Sequence, residues 1–210
     1  GFAHQRLFRV GACSENSAVF ILDSKEENYP FDYCLTATFT LLKNALRVVY
    51  TVENKGNSDM YFGIGSHEAY ACPEGIEQYQ LEFPDDETLT NHLITGPLRN
   101  HETEEIVLEN KRLMLSPAIY EKVDTLIFAG LKSRCVTLKK NDGSRYVRVD
   151  FDGMEDLMIW QRKGAKYLCI EPWTHAPEYT DHDGDITHKP GIRVLGAGER
   201  QDISHVITFG

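Results

Sequence analysis

The 210-residue sequence predicts an all-β protein, a large sandwich or barrel of antiparallel strands with few helices. Three observations predict it. Apolar residues recur with a period of two over several short runs, polar turn residues separate those runs, and no long segment shows an apolar period of 3.6.

Taken in order, the first expected strand covers residues 18–22, a short apolar and β-branched run. From Tyr33 to Leu41 the residues Tyr33, Leu35, Ala37, Phe39 and Leu41 alternate with Cys34, Thr36, Thr38 and Thr40, which reads as a half-buried strand. After the turn residues Lys43-Asn44, the alternation resumes at Leu46, Val48, Tyr50 and Val52, so the two runs form a hairpin. Asn54-Lys55-Gly56-Asn57 reads as a further hairpin turn into a strand over 60–64, and Asn141-Asp142-Gly143 as another, joining 135–139 to Tyr146–Asp150. Shorter strands are expected at 78–81, 126–128, 157–161, 167–171 and 203–209. Residues 85–111 are polar and acidic and read as excursion loops holding a strand or two. A β sandwich of this length commonly stays undivided, so residues 1–210 are expected to form one domain.

The formal net charge of −10 disfavours a nucleic-acid partner, because such affinity rests on Lys and Arg displacing counterions from phosphates. A neutral small molecule such as a sugar suits this balance. The five cysteines, Cys13, Cys34, Cys72, Cys135 and Cys169, are odd in number and contain no C-x-x-C pair, so reduced thiols in a cytoplasmic protein are expected. No run of about 18 apolar residues offers a helical membrane span, and no Asn-x-Ser/Thr site points to a secreted route.

Two segments carry chemistry. In Phe62-Gly63-Ile64-Gly65-Ser66-His67-Glu68, a strand runs into two glycines, which permit unusual backbone angles and close approach, and then presents His67 at its end. In Tyr167-Leu168-Cys169-Ile170-Glu171-Pro172-Trp173, an apolar strand is expected to stop at Glu171, because Pro172 cannot continue a ladder. A carboxylate between Ile170 and Trp173 is partly desolvated, which raises its pKa and suits it to act as a base near neutrality. On pattern alone, each residue has a plain alternative: His67 as a hydrogen-bonded turn residue and Glu171 as a salt-bridge partner. Trp173 offers an aromatic face to a sugar, whereas Trp160 reads as a core residue. Asp181-His182-Asp183-Gly184-Asp185 lacks the glycine and acid positions of a calcium loop and reads as a solvated turn. His175, His182 and His188 have no zinc-ligand spacing, so no metal site and no cofactor are expected.

Taken together, Tyr29-Pro30-Phe31-Asp32-Tyr33, the Gly63-to-His67 turn with Cys72-Pro73, Val123-Asp124-Thr125-Leu126-Ile127-Phe128 and Cys169-Ile170-Glu171-Pro172-Trp173 resemble the aldose 1-epimerase family, in its shorter LacX-like bacterial branch. Lys189-Pro190-Gly191 and Gly196-Ala197-Gly198-Glu199 look like the family's closing segment. The resemblance implies a β-supersandwich, a cofactor-independent site and interconversion of the anomers of a galactose- or glucose-class aldose. By motif position it implies Glu171 as catalytic base, His67 as catalytic acid and Asp124 as a substrate-binding carboxylate. The family's His-Gly-Phe-Ala-Arg segment is present only as Gly1-Phe2-Ala3 with His4 following, so the native protein is expected to carry N-terminal strands before Gly1. Two alternatives accompany this reading: a non-catalytic sugar-binding protein, and a mutarotase for a hexose 6-phosphate, with Arg6, Arg9 and Arg162 available to the phosphate. The sequence leaves the oligomeric state open.

Overall fold

The first four strands, β1 (Arg9–Cys13), β2 (Ser17–Leu22), β3 (Tyr33–Leu41) and β4 (Ala45–Asn54), pair in sequence order as an antiparallel meander. This is a computed structural model, and it describes residues 1–23 and 25–210. The β3–β4 hairpin runs from Tyr33↔Asn54 to Leu41↔Leu46, as the alternation in both runs predicts. The second predicted hairpin does not form. Asn54 ends β4, but β5 (Met60–Phe62) leaves the sheet and pairs later with β16 (Arg193–Leu195), while the free side of β4 takes β17 (Arg200–Phe209) along its whole length. The turn is held instead by Asn54, whose side-chain amide donates to the carbonyls of Ser58, Leu195 and Gly196 and whose Oδ1 accepts from Gly56 N–H.

After β6 (Glu68–Ala71) and β7 (Tyr79–Glu82), the polar stretch 85–111 is more regular than its composition suggests. It forms a long hairpin of β8 (Leu89–Thr95) and β9 (Leu98–Ile106). Then come β10 (Arg112–Met114), β11 (Thr125–Phe128), β12 (Cys135–Lys140), β13 (Tyr146–Asp150), β14 (Asp156–Trp160) and β15 (Tyr167–Trp173). The β12–β13 hairpin turns at Gly143 with φ +75°, a left-handed angle that glycine adopts without strain.

These strands make two large antiparallel sheets. One has nine strands in the order β1-β2-β3-β4-β17-β13-β12-β7-β10, the other six in the order β6-β15-β14-β11-β8-β9, and β5 with β16 forms a two-stranded ribbon. Between the large sheets lies one contiguous apolar core that takes Val52, Leu81, Val136, Val149, Ile203 and Ile207 from the first, and Leu126, Phe128, Leu157, Ile159, Leu168 and Ile170 from the second. The described residues contain only single-turn helical segments, and no helix is long and apolar enough to cross a membrane. The all-β expectation holds.

The period of two decides what the other face of the six-stranded sheet displays. Since Leu168 and Ile170 point into the core, Cys169, Glu171 and Trp173 point away from it. Register carries that face sideways, with Trp160 opposite Cys169, Met158 opposite Glu171, and Thr125 opposite Trp160. Pro172 does not end β15, contrary to the sequence expectation. Its carbonyl accepts from Ser66 N–H at 3.0 Å, so its ring nitrogen faces the same side, beyond Ile170↔Glu68 where the β6 ladder stops. The missing N–H therefore costs no ladder bond, and the strand runs on to Trp173 opposite Asp156.

Candidate active site

His67 stands just before β6, and Glu171 lies on the outward face of the adjoining β15. Their side chains meet, with Nδ1 of His67 3.2 Å from Oε1 of Glu171. The two environments differ sharply: the imidazole is 58% exposed, the carboxyl 5%. Burial raises the Glu171 pKa to about 7, and the nearby carboxylates Glu68 and Asp124 push it the same way. The Trp173 indole N–H pulls against that rise from close by. Among the described residues, neither Trp173 Nε1 nor Glu171 Oε1 has a formed hydrogen-bond partner. Glu171 is thus a buried carboxyl with an open lone pair beside a largely exposed imidazole, a geometry suited to passing protons to and from a bound hydroxyl.

The glycines before His67 are needed for a reason other than backbone angles, because neither Gly63 nor Gly65 has a positive φ. A Cβ on Gly65 would overlap the Trp173 indole, and one on Gly63 would overlap the His175 ring. Both positions allow side chains at the end of β15 and just beyond it, Trp173 and His175, to lie on the backbone that delivers His67. Ser66 N–H donates to Pro172 and Thr174 N–H donates to Ile64, which closes this seam.

Asp124 leads into β11, exposed, and accepts from the Thr125 hydroxyl at 2.9 Å. Its backbone carbonyl accepts from Gln161 N–H at the end of β14. Trp173 is half-buried and packs with Ile94 against Ile127, Met158 and Ala176, an apolar floor on the site face. Trp160 is not a core residue as the sequence suggests. It stands on the site face, edge-on to His67 with ring centroids 6.0 Å apart, and Tyr167 follows it at the same spacing.

Residue patterns gave no sign of two further neighbours. Cys169 is buried on the same face, and burial first, then Glu171, pushes its thiol up to about 11. Beneath the sheet, Glu68 reaches Nε2 of His205 at 3.1 Å. Burial opposes ionisation of Glu68, but His205 outweighs it and holds the carboxyl below its ordinary range. Of the cations proposed for a phosphate, Arg6 is paired with Glu26 and Arg9 with Asp23, both beside the β1 edge of the nine-stranded sheet. Hollows of about 380 and 440 Å³ are lined by residues other than His67 and Glu171.

A family model described as aldose 1-epimerase matches residues 1–202. The chain belongs to the aldose 1-epimerase family. Among the relatives of this aldose 1-epimerase family chain are the chromosomal and plasmid forms of protein LacX from Lactococcus lactis subsp. lactis, each 28% identical over 221 residues, covering all of this chain and 74% of the relative. A galactose mutarotase related enzyme from Lactobacillus acidophilus superposes with a TM-score of 0.89 at 25% identity, covering all of this chain and 73% of that one. A galactose mutarotase-like protein from Lactobacillus casei gives 0.88 at 25% identity, covering 97% and 73%. The chain thus has the galactose mutarotase-like β-sandwich fold, as the sequence resemblance implies.

Proposed function

We propose that this chain interconverts the α and β anomers of an aldohexose of the galactose or glucose class, with residues 1–210 acting as one carbohydrate-binding domain. The observation that carries the reading is the 3.2 Å approach of His67 Nδ1 to a buried Glu171 whose pKa lies at about 7. In its ionised form Glu171 removes the proton from the anomeric hydroxyl, while protonated His67 donates to the ring oxygen. The C1–ring-oxygen bond breaks and C1 becomes a carbonyl. Rotation about C1–C2 presents the other carbonyl face, and with roles reversed His67 takes back the proton of the freed ring hydroxyl while Glu171 gives its proton to the carbonyl oxygen as the ring closes. Asp124 and Thr125 supply polar groups at one end of the site face, and the Trp160 and Trp173 rings supply apolar surface for the sugar's C–H groups.

NMR exchange spectroscopy between the anomers of galactose and glucose tests this directly. The chain should accelerate exchange, His67→Ala should abolish the acceleration, and Glu171→Gln should lower turnover by about 10²–10⁴ while sugar binding stays measurable. Glu171→Gln turning over at the unaltered rate would remove Glu171 from the mechanism.

A further inference from the structure

Cys169 has no part in ring opening, yet it is placed like a third member of the pair. It precedes Glu171 by two residues on β15 and shares its face. Its Sγ, a ring nitrogen of His67 and a carboxylate oxygen of Glu171 all lie within 4.8 Å of one another. Thiolate, imidazole and carboxylate are the donor types that Zn²⁺ takes, at bond lengths of about 2.0–2.3 Å. Tetrahedral angles at such bonds set donor pairs roughly 3.3–3.6 Å apart. His67 and Glu171 are already 3.2 Å apart, so only the thiol has to close in, by roughly 1.5 Å at most.

Two more features favour capture of a cation. Oε1 of Glu171 is buried without a hydrogen-bond partner among the described residues, so a metal ion gains this ligand without breaking a bond there. His67, whose side chain is more than half exposed, is the donor through which an ion from solvent reaches the two buried ones.

We propose that His67, Cys169 and Glu171 form a three-donor binding site for a thiophilic divalent cation of the zinc class. On binding, the Cys169 S–H bond breaks, an S–metal bond forms and the proton passes to the buffer. Glu171 binds as carboxylate and His67 through its unprotonated Nδ1, and no group changes oxidation state. Resting on the mutarotase reading, the same ion occupies both proton-transfer atoms, so metal binding and sugar turnover exclude each other.

Co²⁺ and Zn²⁺ alone serve as probes on the intact chain. Co²⁺ should give a sulfur-to-metal charge-transfer band in the near ultraviolet, which Zn²⁺ then abolishes. Calorimetry should show Zn²⁺ affinity at least tenfold weaker in Cys169→Ser and unchanged in Cys72→Ser, whose buried thiol is outside the three-donor cluster. No charge-transfer band in the unaltered chain, or equal Zn²⁺ affinity in Cys169→Ser, would overturn the proposal. The cobalt band needs no substitution, so it decides the matter even where Cys169→Ser fails to fold. Both readouts are independent of turnover: Zn²⁺ held through Cys169 in a chain that never speeds anomer exchange would count against the mutarotase reading alone.

Discussion

At the residue scale, the same burial that makes Glu171 a useful base also costs stability. Its pKa is about 7 in the fold against an ordinary value of 4.5, so between those limits the folded chain binds a proton that the unfolded chain has lost. Stability therefore falls as pH rises from about 4.5 to about 7, by up to about 3 kcal/mol, because one unit corresponds to 1.36 kcal/mol. Glu171→Gln should be the more stable protein at pH 8 by about that amount, with the advantage lost at pH 4, as urea unfolding at the two values will show. Turnover should run the other way. As the base, Glu171 must be ionised, so kcat/KM should fall as pH drops below about 7, and a profile flat from pH 5 to 7 would place the base elsewhere.

At the scale of elements, β6 is bound to its neighbours twice over, by the ladder to β15 and by Glu68 reaching through the core to His205 on β17. That contact joins the six-stranded sheet to the nine-stranded one. His205 is fully buried while Glu68 is about a third exposed, and His205→Ala would leave the Glu68 carboxylate without this partner. A loss of about 1–3 kcal/mol is expected in denaturant unfolding. How far such elements could be read from sequence depends on where their partners lie. The β3–β4 hairpin was legible because alternation and turn sit within twenty residues of each other. The pairing of β4 with β17 was not, since nothing local in Asn54-Lys55-Gly56-Asn57 tells of a strand near residue 200. Strand β9, with His101 to Glu105 exposed, carries no alternation to read. In the site, His67 and Glu171 stood out because each ends a strand-like run, whereas Cys169, Glu68 and the true reason for Gly63 and Gly65 depend on contacts far apart in sequence.

At the scale of the whole molecule, the net charge of −10 and the neutral substrate class proposed lead to a plain expectation. Screening acts on charge–charge attraction, so the half-saturating concentration of galactose or glucose should shift by less than about twofold between 0.05 and 0.5 M salt. A steep salt dependence in the same titration would point to a charged sugar. Strand β17 has a different kind of consequence. It lies in the middle of the nine-stranded sheet, with β4 on one side and β13 on the other, yet it is synthesised after both. On the ribosome, β1 to β4 and the β13-β12-β7-β10 group emerge as two half-sheets with facing open edges, each a template for pairing with another nascent chain until residues 200–209 arrive to fill the gap.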